Sequence, residues 1–439
     1  MRERFPRSSD LTPRAKKTSG TSSSDDFDLD RRVTIIRLNT TVLIGTPQTL
    51  RGLERMVDFQ LTEEQLLMQK TAREFAAREM RPVSLEYDKK GVIPWHVVQK
   101  AHDLGLDTAF IPAEYGGGGI SSTFTHCIVM EELNWGCAGI ATGLIGAGLA
   151  YLPIIHMGTE DQKERFLRRF CGKEAKLGAL CLTEPDAGSD VANISTTARK
   201  DGDAWVLNGT KRFITNGGIA ELHVVFATTD KDLGYFGIRG FVVDKGTKGL
   251  RQGKVEDKMG VRASHTAEVI LEDCRIPAKN MLGGEERSAF YGAMKTLEAS
   301  RPLVAAGAVG VARAAYEYAL DYSRKRKAFG GPIAKKQGIA FLLADMKTKV
   351  EAARLLTWRA AWMLDEGMPM NKEASIAKLY ASDIAMEVAT DAVQIMGGTG
   401  YMKDEPVEKW MRDAKVFQIW EGTSQIQRLV ISREEIGEL

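Results

Sequence analysis

From Thr62 onward, apolar residues recur at three- and four-residue spacing. Leu66, Met68, Ala72, Phe75, Ala76 and Met80 form one helical stripe, and Thr62-Glu63-Glu64 supplies an N-terminal cap before it. Helical spacing continues to about Phe170, with breaks expected at Pro94, at the run from Pro112 to Gly119, and at Pro153. Between about Leu177 and Gly284 the pattern becomes short β-rich runs separated by Gly, Asp and Lys turns. These are Ala204-Trp205-Val206-Leu207, His223-Val224-Val225-Phe226-Ala227, Gly240-Phe241-Val242-Val243 and Ala267-Glu268-Val269-Ile270-Leu271. Beyond Ala289 helical spacing returns, and the long Ala-rich segments from Leu297 to Gln394 predict a four-helix bundle. The fold class is therefore α+β: an N-terminal helical domain over 58–176, a middle antiparallel β domain over 177–288 and a C-terminal helical bundle over 289–439.

Residues 1–57 differ from this pattern, being rich in Arg, Ser, Thr and Asp, and are expected to be disordered. An Arg- and Ser-rich leader suits an organellar presequence, but Asp25, Asp26, Asp28 and Asp30 have the wrong sign for one. Met56, directly before the first patterned segment, favours an over-extended start. Composition narrows the function classes. Sixty basic and fifty-eight acidic residues leave a net charge of +2, which argues against the one-signed field of a nucleic-acid binder. No run of eighteen uncharged apolar residues is present, so no membrane-spanning helix is expected. The five cysteines are scattered and contain no C-x-x-C, and the six histidines lack metal-ligand spacing. That reads as a reducing compartment, no secretory signal and no metal site.

Four stretches offer chemistry. In Phe417-Gln418-Ile419-Trp420-Glu421-Gly422-Thr423-Ser424-Gln425 a lone carboxylate follows an apolar run. If desolvated, Glu421 would have a raised pKa and act as a base near neutral pH, while on spacing alone a half-exposed glutamate flanking a helix is the default. Thr183-Glu184-Pro185-Asp186-Ala187-Gly188-Ser189-Asp190 offers hydroxyls and turn amides, and reads as a flavin and pyrophosphate edge or a plain tight turn. Phe213-Ile214-Thr215-Asn216-Gly217-Gly218 puts an aromatic face and a hydroxyl on one side of a strand. Gln394-Ile395-Met396-Gly397-Gly398-Thr399-Gly400 ends a helix with glycines, where a C-cap is the default. The Gly116–Gly119 run lacks the lysine and spacing of a phosphate loop.

Together and in this order these stretches resemble the acyl-CoA dehydrogenase family, over about Phe59 to Glu435. The likeness also rests on Ser300-Arg301-Pro302 with the alanine-rich run to Gly310, on Arg326-Lys327-Ala328-Phe329-Gly330, and on Met411-Arg412-Asp413-Ala414-Lys415 leading into Glu421. It is nearest to the medium-chain type, with the short-chain type next. The resemblance implies a flavoenzyme that holds FAD non-covalently and oxidises a fatty acyl-CoA to its trans-2-enoyl-CoA in β-oxidation. Glu421 would remove the pro-R α-proton while the β-hydride passes to flavin N5. Hydrogen bonds from the Glu421 backbone N–H and a flavin hydroxyl would stabilise the developing enolate, at about 3–4 kcal/mol per donor in comparable oxyanion sites.

By position, the resemblance places Leu180, Leu182, Thr183, Ser189, Phe213 and Thr215 along the flavin. Arg326, Phe329, Gln337, Gln394, Gly397 and Gly398 would reach the far end of FAD from a neighbouring subunit, and Thr423 and Gln425 would complete that site. Ser189, Glu298, Arg301, Gly422 and Arg433 match acyl-CoA contacts. A shared site implies a homotetramer, and the usual electron acceptor is electron-transferring flavoprotein. The compartment implied is the cytoplasm in a bacterium or the mitochondrial matrix in a eukaryote. Departures are Ala328 in place of a hydroxyl residue, His265 in place of an aspartate, and Ser300 where isovaleryl and long-chain members carry their base on that helix. An oxygen-using oxidase of the same fold and a non-catalytic acyl-CoA-binding paralogue are the alternatives.

Overall fold

The computed structural model describes residues 34–38, 41–45, 59–284 and 289–437. The chain forms two units, Met1–Leu61 and Thr62–Leu439. In the first, β1 (Thr34–Leu38) pairs antiparallel with β2 (Thr41–Gly45), Thr34 opposite Gly45 and Leu38 opposite Thr41. Disorder was the expectation for this region. Its β-branched content, Ile35, Ile36, Val42 and Ile44 among it, favours the strands instead. The remainder of 1–57 lies outside the described residues.

The second unit begins with α1 (Glu63–Phe75), where Thr62 and Gln65 close a reciprocal capping box. Next come α2 (Ser84–Lys90), α3 (Trp95–Asp103), α4 (Thr123–Met157) and α5 (Glu160–Leu167). Pro153 does not end a helix as expected but sits within α4, whose 61° bend falls upstream between Leu144 and Gly148. No single described helix is long and apolar enough to cross a membrane.

His102 at the end of α3 is buried, with Nδ1 2.9 Å from Asp107 Oδ2 and Nε2 2.7 Å from the Gly172 carbonyl. Both ring nitrogens face acceptors, an arrangement that favours the doubly protonated imidazolium. Burial opposes the charge, yet the bonds to Gly172 and Asp107 prevail and the pKa lies above the ordinary value. A raised folded-state pKa stabilises fully below about pH 6.5, and the contribution is lost as pH rises through the folded value. The thermal midpoint of wild type should therefore exceed that of His102→Gln at low pH, the gap closing as pH rises; a pH-independent gap would refute the imidazolium.

Seven strands follow: β3 (Gly178–Cys181), β4 (Thr197–Asp201), β5 (Ala204–Thr215), β6 (Leu222–Thr228), β7 (Ile238–Asp244), β8 (Leu250–Val255) and β9 (Thr266–Pro277). They form one sheet in the order β3-β6-β4-β5-β9-β8, with β7 also on β6. The sheet is not wholly antiparallel as the alternation suggested. β3 runs parallel to β6, and a single parallel bridge, Thr197 to Thr228, links β4 to β6.

The C-terminal helices are α6 (Ala289–Lys325), the short hairpin β10 (Lys327–Ala328) with β11 (Gly331–Pro332), α7 (Gln337–Asp365), α8 (Asn371–Met396), α9 (Pro406–Phe417) and α10 (Ser424–Ile436). Among the described residues, three long helices and two shorter ones make up the expected C-terminal helical domain. Ala374, Ala377, Ala381, Ala385 and Ala392 of α8 are all fully buried, a stripe of small side chains that lets α6 and α7 approach closely. Glu131 of α4 receives Arg313 of α6 and Arg354 of α7, each at 2.8 Å, which ties the first helical layer to the last. In α9 the buried pair Lys409 and Asp413 bonds at one end to the β domain, because Asp413 Oδ1 accepts the Val261 N–H at 2.6 Å. The chain that leaves α9 toward Glu421 therefore starts from a fixed point.

Candidate functional site

Glu421 occupies the turn between α9 and α10 with φ +50°, followed by Gly422 at φ +87°. A non-glycine residue in the left-handed region costs about 1–3 kcal/mol and persists only where its surroundings impose it. They do so here. Lys378 Nζ donates to the Gly422 carbonyl at 2.6 Å, and Gln427 Nε2 donates to the carbonyls of Gly422 and Glu421 at 3.1 and 3.3 Å. The φ of +87° strains any side chain at 422, and a Cβ there would lie 2.6 Å from Gln427 Nε2 and displace the amide that holds the turn, so both favour glycine.

The Glu421 residue is half-buried, and its Oε2 accepts the Ser300 hydroxyl at 2.8 Å. Burial raises the carboxyl pKa, against the Ser300 bond and the charges of Lys378 and Arg301. Arg301, next along α6, is held by Asn371 Oδ1 and by Ser375 Oγ at 3.3 Å, both on α8. Glu298 lies one turn earlier on α6, and its charge favours the Arg301 guanidinium. Arg301 Nε, Trp420 Nε1 and Gln427 Oε1 are buried without a hydrogen bond among the described residues. Arg301 adjoins Ser300, Trp420 precedes Glu421 and Gln427 bonds its carbonyl, so these polar atoms belong to residues that flank or hold the base turn, a donor and acceptor set that suits a polar ligand.

The second cluster forms on the sheet. Leu180 lies in β3, Leu182 and Thr183 follow its last residue, Cys181, and the Thr183 carbonyl accepts the Arg212 N–H at 2.9 Å. Between Lys211 and Ile214 the β5–β9 register shifts, and this bulge leaves Phe213 57% exposed at φ +58° with Thr215 half-buried beyond it. Beneath the loop lies a buried ion pair that sequence reading missed, Lys211 Nζ to Glu184 Oε1 at 2.7 Å. Lys211 also donates to the Leu182 carbonyl at 3.1 Å. The Glu184 carboxylate accepts Ser195 N–H and Oγ–H, both at 2.6 Å, and Thr196 N–H at 3.0 Å. Asn216, also missed, donates from Nδ2 to the Gly178 carbonyl at 3.2 Å and joins the end of β5 to β3. Ser189 is exposed on the loop.

The remaining candidates lie elsewhere. Arg326 follows the last residue of α6, about 36 Å along that helix from Arg301 at 1.5 Å per residue. Gln394 is about 35 Å along α8 from Asn371, with Gly397 and Gly398 just beyond. Gln337 opens α7, and Phe329, at φ +48° on the β10–β11 turn, is 92% exposed. So Glu421, Gly422, Glu298 and Arg301 stand at one end of the long helices, and Arg326, Phe329, Gln337, Gln394, Gly397 and Gly398 at the other. Thr423 caps α10 through Ile426 N–H and, with Gln425, Lys415 and Arg428, lines a recess of about 280 Å³; Arg433 lies exposed further along α10.

Three sequence models match, described as the N-terminal, middle and C-terminal domains of acyl-CoA dehydrogenase, over residues 62–174, 179–274 and 290–436. The mitochondrial short-chain specific acyl-CoA dehydrogenase of Rattus norvegicus is 44% identical over 85% of this chain and 90% of its own. The cyclohex-1-ene-1-carbonyl-CoA dehydrogenase of Geobacter metallireducens is 46% identical over 85% of this chain and 98% of its own. Among solved structures, the butyryl-CoA dehydrogenase of Megasphaera elsdenii superposes with a TM-score of 0.83 at 44% identity, covering 87% of this chain and all of that one.

Proposed function

Because this chain belongs to the acyl-CoA dehydrogenase family, an oxidoreductase family, we propose that it dehydrogenates a short-chain fatty acyl-CoA at Cα–Cβ, as a step of β-oxidation, with Glu421 as the base that takes the α-proton. The observation that carries this reading is the Glu421 turn. A carboxylate held in a left-handed turn and bonded by Ser300, beside residues with buried polar atoms left unpaired, suits a proton acceptor that meets its substrate in a water-poor site. The sequence resembles the medium-chain type first and leaves chain length open; the short-chain relatives named above support a short chain.

The residues present fit a flavin. Phe213 offers an exposed ring at a bulge, with Leu180, Leu182, Thr183 and Thr215 at its border. FAD, when bound, would supply the acceptor for a hydride from Cβ. The rest falls to the chain: Thr183, Ser189 and Thr215 bind and orient, and the apolar strand end excludes water. On the substrate side, Arg301, Glu298, Gly422 and Arg433 hold the thioester and the CoA portion, and Glu421 Oε receives the proton. Thr423 and Gln425, just beyond the base, complete the FAD site, and Arg326, Phe329, Gln337, Gln394, Gly397 and Gly398 reach its far end across a subunit boundary. The separation of about 36 Å along α6 supports that reading, since one copy cannot bring both ends together. A homotetramer follows, with electron-transferring flavoprotein as the acceptor.

The test is an anaerobic titration of the flavin-loaded protein with straight-chain acyl-CoAs of increasing length, with cyclohex-1-ene-1-carbonyl-CoA as an alternative. Visible flavin absorbance should bleach most completely with butyryl-CoA. Bleaching by none of them would overturn the proposed reaction.

A further inference from the structure

We propose that Lys378 is a positioning residue for the base: from α8 it grips the peptide that follows Glu421 and keeps a positive charge beside the Glu421 carboxyl. This rests on Glu421 being the base.

Lys378 is fully buried. A lysine in that position is expensive for a helix otherwise packed through alanine, because an ammonium loses its hydration on burial and is seldom enclosed without a partner. Here Nζ donates to a neutral carbonyl, that of Gly422, at 2.6 Å. One and two turns earlier on the same face of α8, Ser375 and Asn371 hold Arg301. Further along, Asp383 accepts Gln418 Nε2 at 2.8 Å, Ser424 Oγ at 3.1 Å and Arg428 at 2.9 Å. One helix therefore steadies Arg301, the peptide after the base, and the residues on either side of the turn.

The charged groups that act on Lys378 are Glu421 and Asp383, which favour its ammonium, and Arg301, which opposes it. Burial is the largest influence and brings its pKa down to about 8, so the cation is present through neutral pH. At Glu421 burial pushes the carboxyl toward its neutral acid, and the charges of Lys378 and Arg301 push back. The inferred division of labour is that the hydrogen bond fixes where the base sits and the charge fixes the pH at which it is ionised. Removing a cation beside a carboxylate disfavours the ionised form, so the carboxyl pKa rises.

The experiment is the pH profile of kcat/KM for the flavin-loaded wild type, Lys378→Met, Lys378→Arg and Glu421→Gln, with flavin content and thermal midpoint measured alongside. Lys378→Met should move the acidic limb to higher pH by about one unit, within the range that a nearby opposite charge produces. Lys378→Arg should return it toward the wild-type position. Lys378→Gln, which keeps a donor but no charge, should shift the limb as methionine does, and carries the test if the methionine variant does not fold. A limb that stays in place in both neutral variants, whether or not the rate falls uniformly, would overturn the electrostatic role. Wild-type activity in Glu421→Gln is a separate failure, which would remove the base assignment itself.

Discussion

Glu421→Gln is expected to lower acyl-CoA turnover by about 10²–10⁴-fold, the usual contribution of a positioned proton acceptor, while leaving fold and flavin binding intact. The amide has the volume of the acid and can still accept the Ser300 hydroxyl, now 2.8 Å from Oε2. It can also hold the left-handed backbone, since Lys378 and Gln427 bond to main-chain carbonyls. What it cannot do is take a proton. Burial raises the Glu421 pKa, so wild-type activity should fall on the acid side at a pH above the ordinary carboxylate range. Stopped-flow measurement of flavin reduction checks both points, and reduction at the wild-type rate in the glutamine variant would dispose of Glu421 as the base.

Lys211→Met is expected to destabilise the protein by about 3–5 kcal/mol, because it strands the Glu184 carboxylate in the core. Glu184 would keep its three donors from Ser195 and Thr196 but lose its counter-charge, and the Leu182 carbonyl would lose a donor. The double replacement Lys211→Met with Glu184→Leu should recover part of the loss, since an apolar pair leaves no unpaired charge. Burial opposes the Glu184 charge, but the Lys211 cation and the surrounding donors prevail and hold its pKa at about 2. A depressed folded-state pKa stabilises above the unfolded value, so this contribution persists in mild acid and is lost only as pH falls toward 2. Denaturant melts of the three chains decide the matter. A single-variant loss below about 1 kcal/mol would mean the pair is no more than a surface-like contact.

Much of this was legible from residue spacing, and the failures share a cause. The α1 stripe and its cap, the change of period at β3 and the return to helix at α6 are local patterns written into consecutive residues. The pairing of β3 with β6 is not local: a strand buried on both faces shows no alternation from which a neighbour or a direction can be inferred. Pro153 reads as a stop, yet it removes only one backbone bond from a helix whose neighbours hold it. Glu184 and Lys211 are 27 positions apart and look like ordinary surface charges until the fold stacks the loop on the strand.

Glu421 could be singled out because a carboxylate between an apolar run and Gly-Thr-Ser is unusual on its face. The groups that shape it could not. Lys378 and Gln427 read as the wet side of amphipathic helices. One signal was available for Lys378: it lies four residues after Ala374 and three before Ala381, inside the stripe that proved to be core. The separation of the remaining candidates along α6 was also in reach, since Arg301 and Arg326 fall on one uninterrupted helical pattern.

The left-handed backbone of Glu421 sets function and folding against each other at a single codon. Glycine adopts φ +50° without the clash a side chain brings, and asparagine tolerates it better than glutamate. A population of variants sorted for heat resistance alone would drift toward glycine at 421 and lose its chemistry as it grew more robust. On the proposed role of Glu421 as base, selection for turnover would hold the glutamate there against that drift, and its retention would mark a variant that still turns over.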